Sequence, residues 1–244
     1  MSKADLHIHT TYSKDGTASV REALESAVRA GLDVIAITDH DEVRGSLEAR
    51  AISSKYGIQV IPGAEVSTSE GHLVVLFIER NIPPGMTLID TLICVREMGG
   101  MAIAAHPDHP IRNSIPLKSI LKALEHPQAR EALHGIEVCN MNPSHSPFNQ
   151  RSQKAAATLP LAHIASSDAH IVSMIGAAVT HFEGSTVRDL RRAIQRRATR
   201  PEQVNHELTS RIFFRWLGPY IQRRMNEIFI KRDMAQPLSS NPLD

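Results

Sequence analysis

Five segments of the chain carry histidines and carboxylates at or just after short apolar runs. These segments are residues 5–10, 35–41, 61–67, 104–107 and 164–170. Their candidate ligand atoms are nitrogen and oxygen without sulfur, which favours manganese, iron or zinc in a hydrolytic site over a thiolate-bound structural zinc. Together the segments predict a site for divalent metals.

The segments differ in how strongly each one alone indicates a metal. His7 and His9 stand two residues apart, so on a strand both imidazoles lie on one face and can reach one ion. Such a pair can equally be two buried histidines bonded to the backbone. Asp39 and His40 follow an apolar run and need metals or counter-ions if they are buried, whereas in a solvated loop they need neither. Glu65 follows the third run, where a carboxylate could bridge two metals.

The elements that would position these residues predict an α/β fold. Aliphatic runs alternate with amphipathic stretches, and aromatic residues make up only 4% of the chain, which favours a parallel sheet wrapped by helices. The predicted strands are residues 4–9, 33–38, 59–62, 72–78, 101–105, 135–139 and 161–166, with 177–182 as a further short strand. The predicted helices are residues 19–30, 88–98 and 186–197. Because the carboxyl ends of parallel barrel strands share one face, the five segments are expected to converge.

Composition narrows the class of protein. Two cysteines in 244 residues are too few for a disulfide scaffold and have no metal-binding spacing, which indicates a reducing compartment. No apolar run approaches the roughly 18 to 20 residues of a membrane span. We therefore expect a cytoplasmic protein without stable membrane insertion.

In order and pattern, the five segments resemble the signatures of the PHP family, named for polymerase and histidinol phosphatase. The patterns are Asp-x-His-x-His-Thr, Thr-Asp-His, Gly-x-Glu, His-Pro and Ser-Asp-x-His, and the resemblance covers about residues 5–197. It implies a distorted (β/α)7 barrel with up to three metals. The implied ligands of the first, second and third metal are His7, His9, Glu65 and Asp168; Glu65, His72 and His106; and Asp15, His40 and His170.

Two departures from the family pattern bear on the substrate. Asp15 stands where the histidinol phosphatase branch is expected to carry histidine, which resembles the branch that acts on nucleotide phosphates. No insertion between Glu65 and His106 is large enough for a substrate-covering domain, so shorter loops must select the substrate. The candidates for this pocket are His109, Arg112, Asn142 and His145. A guanidinium suits phosphate oxygens, although a loop arginine or asparagine can also simply face solvent.

The resemblance and the donor set predict a phosphoesterase with two or three divalent metals: manganese, iron or zinc. A metal-activated hydroxide would hydrolyse a phosphomonoester of a nucleotide or small metabolite, with His40, Glu65 and His170 as catalytic residues. The alternatives are a phosphodiesterase or exonuclease acting on short nucleic acid, a histidinol-phosphate-type phosphatase, and a non-catalytic scaffold barrel. A complete ligand set argues against the scaffold.

The expected domains are a barrel at residues 1–200 and a basic helical C-terminal extension at residues 201–244. Residues 188–244 hold twelve Lys or Arg against six Asp or Glu. Phe214, Leu217 and Ile221 recur there at helical spacing. The extension is expected to pack on the barrel or to join subunits of a homo-oligomer, with nucleic-acid or anionic-membrane contact as the remaining alternative.

Overall fold

This computed structural model describes residues 1–110, 113–204 and Gly218. The described residues form a nine-stranded sheet and six α-helices. The strands are β1 Ser2–Ile8, β2 Val34–Ile37, β3 Gln59–Thr68, β4 Gly71–Leu76, β5 Met101–Ala104, β6 Leu133–Asn140, β7 Ala162–Ser166, β8 Ala178–Phe182 and β9 Arg200–Gln203. The helices are α1 Val20–Arg29, α2 Arg44–Ile52, α3 Leu88–Glu97, α4 Leu117–Glu125, α5 Asn149–Ala156 and α6 Val187–Gln195.

The sheet mixes parallel and antiparallel pairs. Its strand order is β7-β6-β5-β4-β3-β2-β1-β8-β9. β2 pairs in parallel with β1 and β3, and β6 pairs in parallel with β5 and β7. β4 runs antiparallel to β3 and β5, and β8 runs antiparallel to β1 and β9. The predicted α/β class is therefore confirmed, but an all-parallel sheet was wrong for these strands. The sevenfold repeat is not confirmed either, because the described residues contain nine strands.

The two ends of the sheet approach each other and nearly close it into a barrel. The Thr180 hydroxyl on β8 donates to the carbonyl of Ala165 on β7 at 2.8 Å and accepts from the Ala165 amide at 2.9 Å. The amide of His9 donates to the carbonyl of Ala169 at 2.8 Å, just beyond the ends of β1 and β7. A side chain thus supplies the pairing that a ninth strand-to-strand ladder would otherwise provide.

The largest apolar side chains lie inside the barrel and between the sheet and its helices. One buried cluster draws residues from seven strands, which can meet only in the interior; Leu6, Leu76 and Phe182 are among its fully buried members. Leu190 of α6 joins this cluster. Two further clusters bury the apolar faces of the surrounding helices against the outside of the sheet. This packing holds the strand ends in fixed positions around the site.

Local sequence signals account for the helix boundaries. The Ser19 hydroxyl accepts from the Glu22 amide, and the Glu22 carboxylate accepts from the Ser19 amide, forming a capping box at the start of α1. Gly31 follows the helix with a φ of 67°, which favours glycine. The predicted helices at 19–30, 88–98 and 186–197 correspond to α1, α3 and α6.

The sheet continues beyond the boundary expected at residue 200. Residues 200–203 form β9, which pairs with β8. Apart from residues 201–204 and Gly218, the predicted extension lies outside the described residues, as does its expected subunit contact. No helix among the described residues combines the length and the apolar character needed to cross a membrane.

Candidate metal centre

Seven of the nine predicted ligands line one cavity of about 220 Å³ at one end of the barrel. The other two, His7 and His9, contact Glu65, which lines this cavity. Most of the predicted ligands follow β1, β2, β5 and β7, whose carboxyl ends meet there, as the sequence predicts. His72 reaches the same place differently. It lies near the start of β4, and because β4 runs antiparallel to β3, its start lies at the end of the barrel where the parallel strands finish.

Glu65 on β3 lies at the centre of this cluster and is buried. Five imidazoles surround its two carboxylate oxygens at 2.9 to 3.4 Å: His7, His9, His40, His72 and His106. Oε1 faces His72 and His106, and Oε2 faces the other three. A carboxylate whose two oxygens face separate groups of nitrogen donors has the arrangement needed to bridge two cations.

A second carboxylate, Asp168, faces the histidines of β1. Its Oδ1 lies 3.2 Å from Nε2 of His9 and 3.5 Å from Nε2 of His7. Neither of these buried Nε2 atoms has a hydrogen-bond partner among the described residues. Buried nitrogens without partners are costly unless a ligand occupies them, so these donors fit a metal.

Asp15 joins two further histidines at the mouth of the cavity. Its Oδ2 lies 3.4 Å from Nε2 of His40 and 3.4 Å from Nε2 of His170. Together with His9, these residues form a group whose donor atoms all lie within 4.8 Å of one another. The three sets implied by the sequence lie close together in space, but the donor atoms group differently, since Glu65 and His72 group with His40, and His106 groups with His145 and Asp168.

The backbone turns sharply at two of these residues. His106 has a φ of 31° and Asp168 a φ of 49°, in the left-handed region that non-glycine residues rarely adopt. Each lies two residues beyond the end of a buried strand and lines the cavity. Such strain is typical of functional sites.

Ser13 supports two of the histidines from behind. Its hydroxyl donates to Asp39 at 2.9 Å, so it accepts from Nδ1 of His9 at 3.0 Å and from the amide of His40 at 2.9 Å. A proton on Nδ1 leaves Nε2 of His9 with a lone pair facing the cavity, the state in which imidazole binds a metal. Asp39 is thus placed to support a ligand, not to be one.

Glu137 on β6 is a site residue that the sequence reasoning missed. It is 1% exposed, and its carboxylate accepts from Nδ1 of His7 at 2.9 Å, from the amide of His106 at 2.8 Å and from Nδ2 of Asn140 at 2.9 Å. The Ser166 hydroxyl also donates to it. The available signal was a glutamate inside an otherwise apolar strand, since a buried carboxylate needs partners.

The four predicted substrate-binding residues have different positions. Asn142 and His145 line the cavity. His109 lies behind His145, and both of its ring nitrogens are engaged with other side chains. Arg112 lies outside the described residues.

The charges in the cluster make metal uptake dependent on pH. Burial alone would lower the pKa of His40, but the Glu65 and Asp15 carboxylates outweigh it and raise the pKa to about 11. His40 is therefore protonated near neutral pH before metal binds, and a metal must displace that proton.

We expect metal binding to release protons and to tighten as the pH rises, by about tenfold per pH unit for each proton released. Isothermal titration calorimetry with manganese, in buffers of different ionisation enthalpy, counts the protons. His126→Gln is the control because this histidine lies outside the cluster. An affinity that is independent of pH between 6 and 8 would contradict this reading of the site.

Comparison with known proteins identifies the family. Residues 5–83 match the PHP domain family, and residues 147–199 match the PHP-associated family. An uncharacterized protein of Methanocaldococcus jannaschii is 33% identical over an alignment of 163 residues, which covers 63% of this chain and 95% of that protein. The chain belongs to the PHP family. Membership assigns it to the PHP-family metal-dependent phosphoesterases as a class, and the clustered histidines and carboxylates could hold the metals.

Relatives with named activities match over shorter stretches. A 5'-3' exoribonuclease of Haemophilus influenzae is 36% identical over 105 residues, covering 41% of this chain and 38% of that enzyme. A phosphoribosyl 1,2-cyclic phosphate 1,2-diphosphodiesterase of Eggerthella lenta is 35% identical over 85 residues, covering 32% of each protein. This PHP-family chain thus spans about a third of the length of these two enzymes, and the family alone does not specify its substrate.

Solved structures share the fold of the PHP-family chain. A two-domain protein of Bacteroides vulgatus, containing a predicted PHP-like metal-dependent phosphoesterase, superposes with a TM-score of 0.68 at 21% identity, covering 88% of this chain and 69% of that chain. PsfC of Pseudomonas syringae superposes with a TM-score of 0.64 at 20% identity, covering 92% and 98%. At these identities the likeness concerns the fold alone.

Proposed function

We propose that this PHP-family chain hydrolyses a phosphomonoester of a nucleotide or small metabolite, using two or three divalent ions of manganese, iron or zinc. The observation that carries the proposal is the position of Glu65 between two groups of histidines beside a narrow cavity. When bound there, divalent metals neutralise phosphate oxygens and lower the pKa of water toward neutrality.

The protein's own residues have three tasks in this proposal. His7, His9 and Asp168, with Glu65, would hold the first ion, and Glu65 with His72 and His106 would hold the second. Asp15, His40 and His170 would hold the third ion. In the absence of that ion, His40 and His170 would instead assist the phosphate at the mouth of the cavity. Together, the ions and these side chains would bind and orient the phosphate. Binding and orientation supply the larger part of catalysis for a charged ester.

The surroundings of the cavity favour a monoester. A wider pocket of about 510 Å³ adjoins it, and beyond the proposed metal ligands the charged side chains among its described lining residues are Asp41, Glu42 and Lys14. A nucleic-acid strand would bring further phosphates to this acidic rim, where like charges repel them. An uncharged leaving group meets no such penalty.

A phosphodiesterase or exonuclease is the second candidate, because the named relatives act on RNA or on a cyclic phosphate diester. The monoesterase and the diesterase candidates predict opposite preferences between a phosphomonoester and a phosphodiester of similar structure. A histidinol-phosphate-type phosphatase is less well supported by Asp15, which replaces the histidine expected in that branch.

The manganese-loaded protein is expected to prefer 4-nitrophenyl phosphate over bis(4-nitrophenyl) phosphate by about tenfold or more in kcat/KM, equivalent to about 1.4 kcal/mol in barrier height. Adenosine monophosphate, histidinol phosphate and a short oligoribonucleotide extend the comparison. His9→Ala protein, purified in the same way, controls for contaminating phosphatases. A preference for the diester or the oligonucleotide would replace the monoester proposal with the second candidate.

A further inference from the structure

Three buried side chains outside the nine predicted ligands form a hydrogen-bonded chain that ends at the cavity. The Ser152 hydroxyl lies 2.7 Å from Nε2 of His109, and Nδ1 of His109 lies 3.2 Å from Nδ1 of His145. All three residues are less than 9% exposed. Ser152 belongs to α5, so a helix anchors the far end of the chain.

The partners at the anchored end determine the direction of every hydrogen bond. The Ser152 hydroxyl donates to the carbonyl of Pro107 at 2.9 Å, so it can only accept from Nε2 of His109. Burial lowers the pKa of His109 to about 4, and the neutral ring therefore has a bare Nδ1. This nitrogen accepts from the Nδ1 proton of His145. The remaining nitrogen of His145, Nε2, then carries a lone pair.

The His145 ring lies beside the predicted metal ligands. It stacks on His106 with a centroid distance of 3.9 Å and an angle of 11° between the rings. Parallel rings cannot both direct an in-plane lone pair at one ion, which argues against a metal shared by these two histidines. One nitrogen of His145 nevertheless lies within 4.8 Å of an oxygen of Asp168. Among the described residues no group forms a hydrogen bond with Nε2 of His145.

We propose that His145 is a specificity-determining residue whose Nε2 accepts a hydrogen bond from a substrate hydroxyl next to the reacting phosphate. The inference rests on the proposed phosphoesterase function. A hydrogen bond spans about 2.8 Å and a metal–oxygen bond about 2 Å, so His145 reaches the phosphate or a group within about three bonds of its ester oxygen. Ionised phosphate oxygens only accept, and a fixed lone pair does not bind them. The favoured substrates therefore carry a hydroxyl vicinal to the phosphoester, as in phosphorylated polyols or ribose.

Two phosphonates that cannot be hydrolysed separate recognition from catalysis. 3-Hydroxypropylphosphonate and butylphosphonate differ by a hydroxyl in place of a methyl group, at the position of a vicinal hydroxyl in a phosphate ester. Calorimetry with manganese-loaded protein gives the ratio of their dissociation constants. We expect His145→Ala to reduce the preference for the hydroxyl compound by about 3- to 10-fold, the value of one neutral hydrogen bond. Ser152→Ala should reduce it partly, because His109 can then change tautomer.

Ser26→Ala is the matched control, since Ser26 is also a buried helical serine whose hydroxyl donates to a carbonyl, that of Val172 at 2.9 Å. Its ratio should equal that of the wild type. Nitrogen-15 NMR of the metal-free protein should show an unprotonated Nε2 at His145, and metal analysis should find equal metal content in all variants. An unchanged ratio in His145→Ala, or the loss of one metal equivalent from it, would overturn the inference. Neither result depends on whether the protein hydrolyses any ester, so the inference and the proposed function can fail separately.

Discussion

Glu65→Gln is expected to lower kcat/KM for a phosphomonoester by about a thousandfold, while the protein remains folded. The substitution removes the negative charge that faces five imidazoles and leaves an amide that cannot bridge two cations. Bridged metals contribute several kcal/mol to transition-state stabilisation, and each 1.36 kcal/mol corresponds to a factor of ten in rate. Steady-state kinetics with saturating manganese measures the loss.

Glu202→Gln is a matched control because Glu202 also pairs with a histidine, His181, but on β8 and β9 away from the cavity. Its activity should equal that of the wild type. Circular dichroism verifies that both variants are folded, as expected because Glu65 is held in β3 by backbone pairing with β4. Activity within threefold of wild type in folded Glu65→Gln protein would remove Glu65 from the proposed mechanism.

Glu137→Gln is expected to weaken manganese binding by about 10- to 100-fold, the usual effect of losing a partner behind a metal-binding histidine. The carboxylate has two oxygens and accepts from four donors, among them His7 and the amide of His106. Glutamine has one oxygen and one amino group, so the amino group must face a donor. The orientation of His7 and the turn at His106 then lose their common support.

Competition with a chelating dye measures the metal affinity of Glu137→Gln, and the same Glu202→Gln protein is its control. A merely structural role of Glu137 would lower thermal stability without changing the affinity of the folded protein. Wild-type affinity in the folded variant would therefore refute its role as a positioning residue.

The main elements of the fold and most of the candidate site could be predicted from the sequence, because their physical causes are local. An apolar run followed by His, Asp or Glu indicates both a buried strand and a polar strand end. Seven of the nine strands overlap predicted core strands of the barrel, and Ala178–Phe182 corresponds to the additional short strand. The convergence of the strand ends followed from the general geometry of barrels.

The remaining features depend on pairings that the sequence pattern does not reveal. β9 contains Pro201 and three polar residues, so its pattern does not indicate a strand; its register with β8 provides one. The position of His72 depends on the antiparallel direction of β4. The supporting roles of Ser13 and Glu137 depend on contacts between residues far apart in the chain, Glu137 with His7 above all.

The most direct test of the central claim is activity measured against the number of metal ions bound. Chelated protein is titrated with manganese, iron or zinc, and bound metal and monoester hydrolysis are determined on the same samples. We predict no activity without metal, at least two equivalents bound per chain, and a rise in activity as the second equivalent binds to Glu65. Full activity in the chelated protein, or less than one equivalent bound after reconstitution, would contradict the account.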